Sequence, residues 1–509
     1  MVKTTTQTLK SHVNRIKFQS LPANFQDAIT ITRRLGYRYL WIDSLCIIQD
    51  SADDWGFEAG QMHNVYQNAV LTIMAEASSE GSSGIFLTGD SKRRDRANTI
   101  RVPYIGDDTD QSACFYVREC LTPGLGSLTP LRTRGWVLQE DLLSPRIVKY
   151  SAEQLFWTCR SLRCCEADPE TDRRLEDIFD QRRPIEEIAY TDLSKYEEAK
   201  DYLNWWYSVV VDNFTHRKLT VVTDALPATG GIAQQVQEGT GFTYLAGLWL
   251  EDIQRGLLWI SCGQGQRNDT YVAPSWSWAS MTFNLGEREW IYDYVHVVPV
   301  WEYNITVINH DMKANSKAPF GKVQSGYLRV RGYWKAVDDL ADCPSPFFDN
   351  YEDRRLLYQR SESLVYRDRS TELLPKQVVC SHDTVAGIEG VGPDLFGKGI
   401  IYLMVLKSDF PFQGEDEGEG EGEDEEESTD GDEKDDDESE EESDGEAEDG
   451  SEASSEEDEG EDNEHAGTIY ALILEPTGLP RTYRRIGVAQ IPEDDGMAEG
   501  WESSELKII

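Results

Sequence analysis

The first 165 residues predict an α/β fold with a parallel sheet, and the rest predicts a mixed α+β, β-rich region. Three observations predict this. Helical and strand-like patterns alternate from residue 21 onward, as they do where helices connect parallel strands. The strand-like segments there are short and apolar, as buried strands are. Beyond about residue 260, helical patterns become scarce and extended apolar runs recur.

Leu21-Pro22 opens the first helix, because proline suits a first helical turn. Phe25, Ala28, Ile29, Thr32 and Leu35 follow at helical spacing, and Gly36 can end the helix. Residues 39–42 (Tyr-Leu-Trp-Ile) read as a buried strand ending at Asp43. Asp54 is the expected cap of a second helix, whose apolar face holds Trp55, Met62, Val65, Tyr66 and Ala69. Residues 70–75 read as another strand. Trp136, Leu138 or Gln139, Leu142 and Leu143 fit one short helix stopped by Pro145, with strands at 147–150 and 154–159. Residues 202–214 and 220–237 read as helices, the second weakened at Gly230-Gly231. Residues 270–281 alternate small residues with Trp276 and Trp278, a period of two that suggests a strand or an extended packing segment. Strands are expected at 323–333, 400–406, 468–474 and 484–490. The chain therefore divides into an α/β domain (1–165), a charged linker and mainly helical segment (166–260) and a β-rich region (261–413). An acidic insertion (414–464) precedes a return to that β-rich region (465–509).

The net charge of −44 is local. Residues 414–464 hold 32 Asp or Glu and one lysine, leaving 61 acidic and 48 basic residues elsewhere. That tract has no aromatic residue and repels itself, so it should be disordered, a loop grown long between two strands. No basic surface argues for nucleic acid. Nine scattered cysteines, a polar start and no apolar run of membrane-spanning length predict a cytoplasmic protein without a membrane span. Cys159, Cys164 and Cys165 lack zinc-ligand spacing, no metal is expected, and no phosphate-binding glycine motif is present.

Several blocks together carry a resemblance. Leu21-Pro22-x-x-Phe25-x-Asp27-Ala28-Ile29 leads into Leu35-Gly36-Tyr37-Arg38-Tyr39-Leu40-Trp41-Ile42-Asp43-Ser44-Leu45-Cys46. Met62-x-x-Val65-Tyr66-x-x-Ala69 and Arg134-Gly135-Trp136-Val137-Leu138-Gln139-Glu140-x-Leu142-Leu143-Ser144-Pro145-Arg146 follow. In this order the blocks resemble the fungal heterokaryon-incompatibility (HET) domain. The strand with an Ala-Leu-Ser-Tyr-x-Trp-Gly-like motif that usually begins the family's domain has no counterpart before Leu21. The expectation is therefore a domain lacking its first strand, with an unpaired sheet edge or a core gap.

The resemblance implies a protein that triggers regulated cell death on non-self recognition. It also implies a fold akin to TIR domains, which are flavodoxin-like, and some of which cleave NAD with a glutamate on a Trp-Cys-x-x-Glu-like helix. Trp136-Val-Leu-Gln-Glu140 has that spacing. Glu140 would stabilise an oxocarbenium-like ribose, with Asp43 beyond a strand end as its support. Trp136, Arg134 and Arg146 would contact the dinucleotide, a substrate and not a resident cofactor. Glu140 also reads as a capping or salt-bridging residue, Asp43 as a turn aspartate, and Trp41 and Trp136 as core. Cys46 reads as a buried structural thiol, and Asp50, Asp53 and Asp54 as a solvated helix start. The alternatives to an enzyme are an interaction module that binds other proteins or itself, and an inactive degenerate copy.

Overall fold

The computed structural model describes residues 2–78, 80–86, 100–103, 114–117, 129–151, 154–160, 162–166, 202–260, 265–283, 300–315, 318–336, 364–367, 377–382, 399–408, 467–492 and 500–509. The linker at 167–200 and the acidic insertion with its expected disorder lie outside these residues.

A short helix α1 (Leu9–Asn14) precedes α2 (Ala23–Arg34). Phe25, Ala28, Ile31 and Thr32 of α2 are buried, so Ile31 takes the place expected of Ile29. Thr32 fits that face because its hydroxyl donates to the Ala28 carbonyl at 2.7 Å. Gly36, at φ +82°, ends the helix in the left-handed conformation. The chain then runs extended to α3 (Asp43–Cys46) and on to α4 (Ala52–Gln67). Ser51, not Asp54, caps α4, and its hydroxyl accepts from the Asp54 amide at 3.2 Å. Asp54 reaches back and accepts from the Ile48 amide at 2.7 Å. Ser51→Ala should cost about 1 kcal/mol, read as a lower urea midpoint.

The N-terminal sheet has four strands, β1 (Thr72–Met74), β2 (Arg146–Tyr150), β3 (Leu155–Cys159) and β4 (Arg163–Cys165), in that order. Helix α5 (Trp136–Leu143) leads into β2, which lies parallel to β1 with Thr72 opposite Ile147. The other two pairings are antiparallel, so the sheet is mixed where an all-parallel one was expected. The short links at 151–154 and 160–162 allow only a reversal, whereas the long path from β1 to β2 allows a parallel return. Residues 39–42 are extended but join no ladder among the described residues. The outer edge of β1 is likewise unpaired among them.

Residues 202–215 are helical, with a π-helical centre at Trp206–Val211. Helix α6 (Ala225–Thr240) follows. Gly230 and Gly231 are not weak points in it. They are contact points, because a Cβ on Gly230 would meet the Phe320 carbonyl at 2.8 Å. The tryptophan-rich segment forms no long strand. It is a buried irregular stretch with a 3-10 turn at Trp278–Ser280, and its period of two serves packing.

The β-rich region is a nine-stranded sheet. Its strands are β5 (Val300–Tyr303), β6 (Ile305–Asn315), β7 (Ala318–Ala336), β8 (Leu364–Arg367) and β9 (Gln377–His382). β10 (Ile401–Ser408), β11 (Thr468–Pro476), β12 (Thr482–Pro492) and β13 (Glu502–Ile508) complete it. The pairings close a ring, β7 to β10, β11, β12, β13 and back to β7, in which only the β12–β13 pair is parallel. Closure leaves these strands fewer open edges than an open sheet would. β10 and β11, which flank the acidic insertion, pair antiparallel with Ser408 opposite Thr468. Residues alternate between two cores. Leu403, Leu472 and Leu506 pack with the helices of residues 202–260, and Tyr402, Met404 and Ile473 form a second cluster. Among the described residues, no helix is long and apolar enough to cross a membrane.

Candidate functional site

A cleft of about 510 Å³ lies between α2, the extended segment before α3, the end of α4, and β1. That volume falls within the roughly 300–1,000 Å³ usual for small-molecule sites. Its walls are largely apolar, with Leu40, Ile42, Val65 and Ile73 among them, while Tyr66 and Glu140 bring polar atoms to it. Leu40 and Ile42 belong to the extended segment and Ile73 to β1, so the cleft runs along the sheet edge that is unpaired among the described residues.

Glu140 reaches this cleft because of how α5 is packed. Val137, Leu138, Gln139, Leu142 and Leu143 bury the helix on its other sides. The Tyr66 hydroxyl donates to the Glu140 carboxylate, and the Tyr66 ring packs edge-on against Trp41 at 5.7 Å. Burial pushes Glu140 up to about 7, against the opposing charge of Arg134 and the hydrogen bond from Tyr66. Asp43 raises it further and Arg217 lowers it. Near neutrality Glu140 therefore exchanges a proton, as a general acid or base must. Tyr66 is held well above its usual range by burial and by the Glu140 charge, so it stays a hydroxyl donor. Arg217 is lowered to about 10 by burial and by Arg132, and its Nη1 donates to the Arg132 carbonyl at 2.7 Å.

The residues singled out from the sequence are only partly brought together. Asp43 is exposed at the start of α3, and its Oδ1 accepts from the Ser44 amide at 2.6 Å. It thus behaves as a turn aspartate, yet its charge acts on both Glu140 and Tyr66. Arg134 is exposed just before α5, and its charge reaches Glu140. Trp136 packs elsewhere, edge-on to Trp55 at 6.2 Å, with its Nε1 donating to Asp224 Oδ2 at 3.4 Å. Arg146 is exposed at the start of β2, outside the cleft wall. Cys46 is exposed, not buried as expected, because it ends a one-turn helix. Its thiol is pushed up by partial enclosure and by Asp43 and Glu58, which argues against an activated nucleophile. Asp50 accepts from the Thr6 amide and hydroxyl, both at 2.7 Å, bonds that lower it. Among the described residues, no cluster of three His, Cys, Asp or Glu side chains is arranged to hold a metal ion.

Tyr66 and Arg217 were not singled out as site residues. Tyr66 was visible only as one apolar-face residue of α4, and nothing in the spacing pairs it with a glutamate on α5.

These features define an α/β domain with a half-buried carboxylate at an apolar cleft, attached to a β-rich region. Residues 2–140 match the family model described as "Heterokaryon incompatibility protein (HET)". That segment is a heterokaryon-incompatibility domain, and every residue lining the cleft falls within it. No curated protein and no solved structure matches the chain.

Proposed function

We propose that this protein triggers regulated cell death on non-self recognition in a fungal cytoplasm, by TIR-like cleavage of NAD at the Glu140 cleft. The observation that carries this reading is the pairing of Glu140 with Tyr66 at the cleft wall, with the carboxylate raised to about 7. In the reaction the C–N bond between ribose and nicotinamide breaks. The bonding pair leaves with the ring nitrogen, which makes nicotinamide neutral. The ionised Glu140 stabilises the cationic ribose, and water then adds at the same carbon and gives up a proton, which Glu140 can accept. Asp43, whose charge acts on Glu140, would hold ribose hydroxyls, and Arg134, whose charge also reaches Glu140, would face the diphosphate. Trp136 and Arg146, which the resemblance also offered for the dinucleotide, are given no role in this scheme because, unlike Asp43 and Arg134, neither acts on Glu140.

A TIR-like, flavodoxin-like ancestry for the domain is part of this proposal. The parallel β1–β2 pair joined through α5 supports it.

The test is expression of wild type and Glu140→Gln with cellular NAD measured. The expected result is NAD depletion and death with wild type, and a loss of depletion by at least about 100-fold with the variant. Equal NAD with killing retained would sink the enzyme. It would favour an interaction module acting through the apolar rim of the cleft, where Leu35, Tyr37, Tyr39 and Val70 are exposed and Tyr39 is 88% so.

A further inference from the structure

The HET domain meets the β-rich region at four side chains from four separate elements. Trp55 comes from the first turn of α4, and Trp136 is the first residue of α5. Asp224 ends the 3-10 turn Val222–Asp224, and Lys322 lies near the start of β7. Asp224 divides its carboxylate between the two sides. Its Oδ2 accepts from Trp136 Nε1 at 3.4 Å, and its Oδ1 lies 3.2 Å from Lys322 Nζ. The same ammonium sits 4.7 Å from the centre of the Trp55 ring, and that ring packs edge-on against Trp136.

We propose that this cluster is a latch by which the β-rich region holds α5 in place, so that an event on the C-terminal half reaches the cleft by releasing Lys322. Three observations support this. Trp136 and Glu140 are one helical turn apart on α5, so a shift of the tryptophan carries the carboxylate with it. The junction beside the cluster is loosely filled. A cleft of about 290 Å³ separates α4, α6 and residues 318–322, and its walls include Gly56, Gly60, Gly230 and Gly321. Parting α4 from residues 318–322 therefore costs less contact than opening a close-packed core, while α6 keeps its close contacts at Gly230 and Gly231. Finally, the Lys322 side chain is 45% exposed while Asp224 is 11% exposed, so a binding partner can compete for the lysine without unfolding the site. A cation shared between a carboxylate and an indole face is a contact strong enough to order a helix end and weak enough to exchange. The latch concerns α5 and stands whether or not Glu140 cleaves NAD.

The test is hydrogen–deuterium exchange of the full chain, read over residues 136–143 and over β10–β12 as an internal reference. Lys322→Glu sets two carboxylates against each other, and Lys322→Met removes the charge while keeping the stem. Each should speed exchange in residues 136–143, about tenfold for Lys322→Glu and less for Lys322→Met, with the reference strands unchanged. Lys322→Arg keeps both the ion pair and the cation over the ring, and should exchange as wild type does. Unchanged exchange at 136–143 in both the Glu and Met variants would overturn the latch. So would an equal rise in the reference strands, which would mark Lys322 as a general stabiliser. Should Lys322→Glu fail to fold, Lys322→Met against Lys322→Arg decides by the same readings.

Discussion

Gly231→Ala should destabilise the protein by about 3 kcal/mol or more and separate the HET domain from α6, seen as a lower urea midpoint and faster exchange in α4 and α5. A Cβ at this position would strike the Cβ of His63 on α4, and would come within 2.6 Å of Gln139 Oε1 on α5. Neither neighbour can yield cheaply. The His63 Cβ is fixed to the backbone of α4, and Gln139 is 1% exposed. The Gln139 Oε1 also accepts from the Gly231 amide at 2.8 Å, so a push that moves it strands the buried Gln139 carbonyl. Overpacking of this kind costs about 1–3 kcal/mol, and each stranded buried polar group about as much again. Gly56→Ala is the matching control. That glycine sits within α4 with open space around it, so alanine there should stabilise by up to about 1 kcal/mol through helix propensity alone. If Gly231→Ala were as benign as Gly56→Ala, the three-helix contact would not be what joins the two parts of the chain.

Gly231 also shows what the sequence could and could not tell. Its place inside a helix was legible, and so were α2, α4, α5 and β10–β12, because apolar spacing and stop residues are local signals. What a glycine touches is not local, so a residue read as a weak point is the closest contact between three helices. The same limit explains residues 39–42. Their apolar run fixed an extended backbone, but a ladder needs a neighbour, and none among the described residues lies along them. The HET identity was legible because block order and spacing are sequence properties, and the family match agrees over residues 2–140. Glu140 was legible as a candidate from its spacing to Trp136, but the two point to different places. The tryptophan faces Trp55 and Asp224, while the glutamate faces the cleft. Its partner Tyr66 stands on another helix, where only folding brings it within reach. Exposure was the least legible property. Cys46 read as a buried structural thiol because no histidine near it in sequence suggested a nucleophile, yet it stands exposed at the end of a one-turn helix.

Glu140→Gln should stabilise the folded chain at pH 8 by about 3 to 4 kcal/mol, and by well under about 1 kcal/mol near pH 4.5. The sign follows from where the proton is held. In the unfolded chain a glutamate ionises from about pH 4.3. In the folded protein burial holds the Glu140 proton until about pH 7. Between these values the folded state binds more protons than the unfolded state, so stability falls as pH rises through the window. Above pH 7 both states are ionised and the penalty stays at its full value. Glutamine has no proton to lose and still offers Tyr66 an acceptor, so its stability curve lacks this fall. Urea unfolding of both proteins at pH 5, 6, 7 and 8 would show a gap that opens with pH. A constant gap, or a wild type more stable at pH 8, would mean that Arg134, Arg217 and the Tyr66 hydroxyl outweigh burial. Glu140 would then be an ordinary salt-bridged carboxylate. A gap that opens would show the chain carrying a destabilising charge inside the matched domain, at the wall of its cleft. Packing alone gives no reason to keep such a charge, whereas chemistry at that carboxylate does.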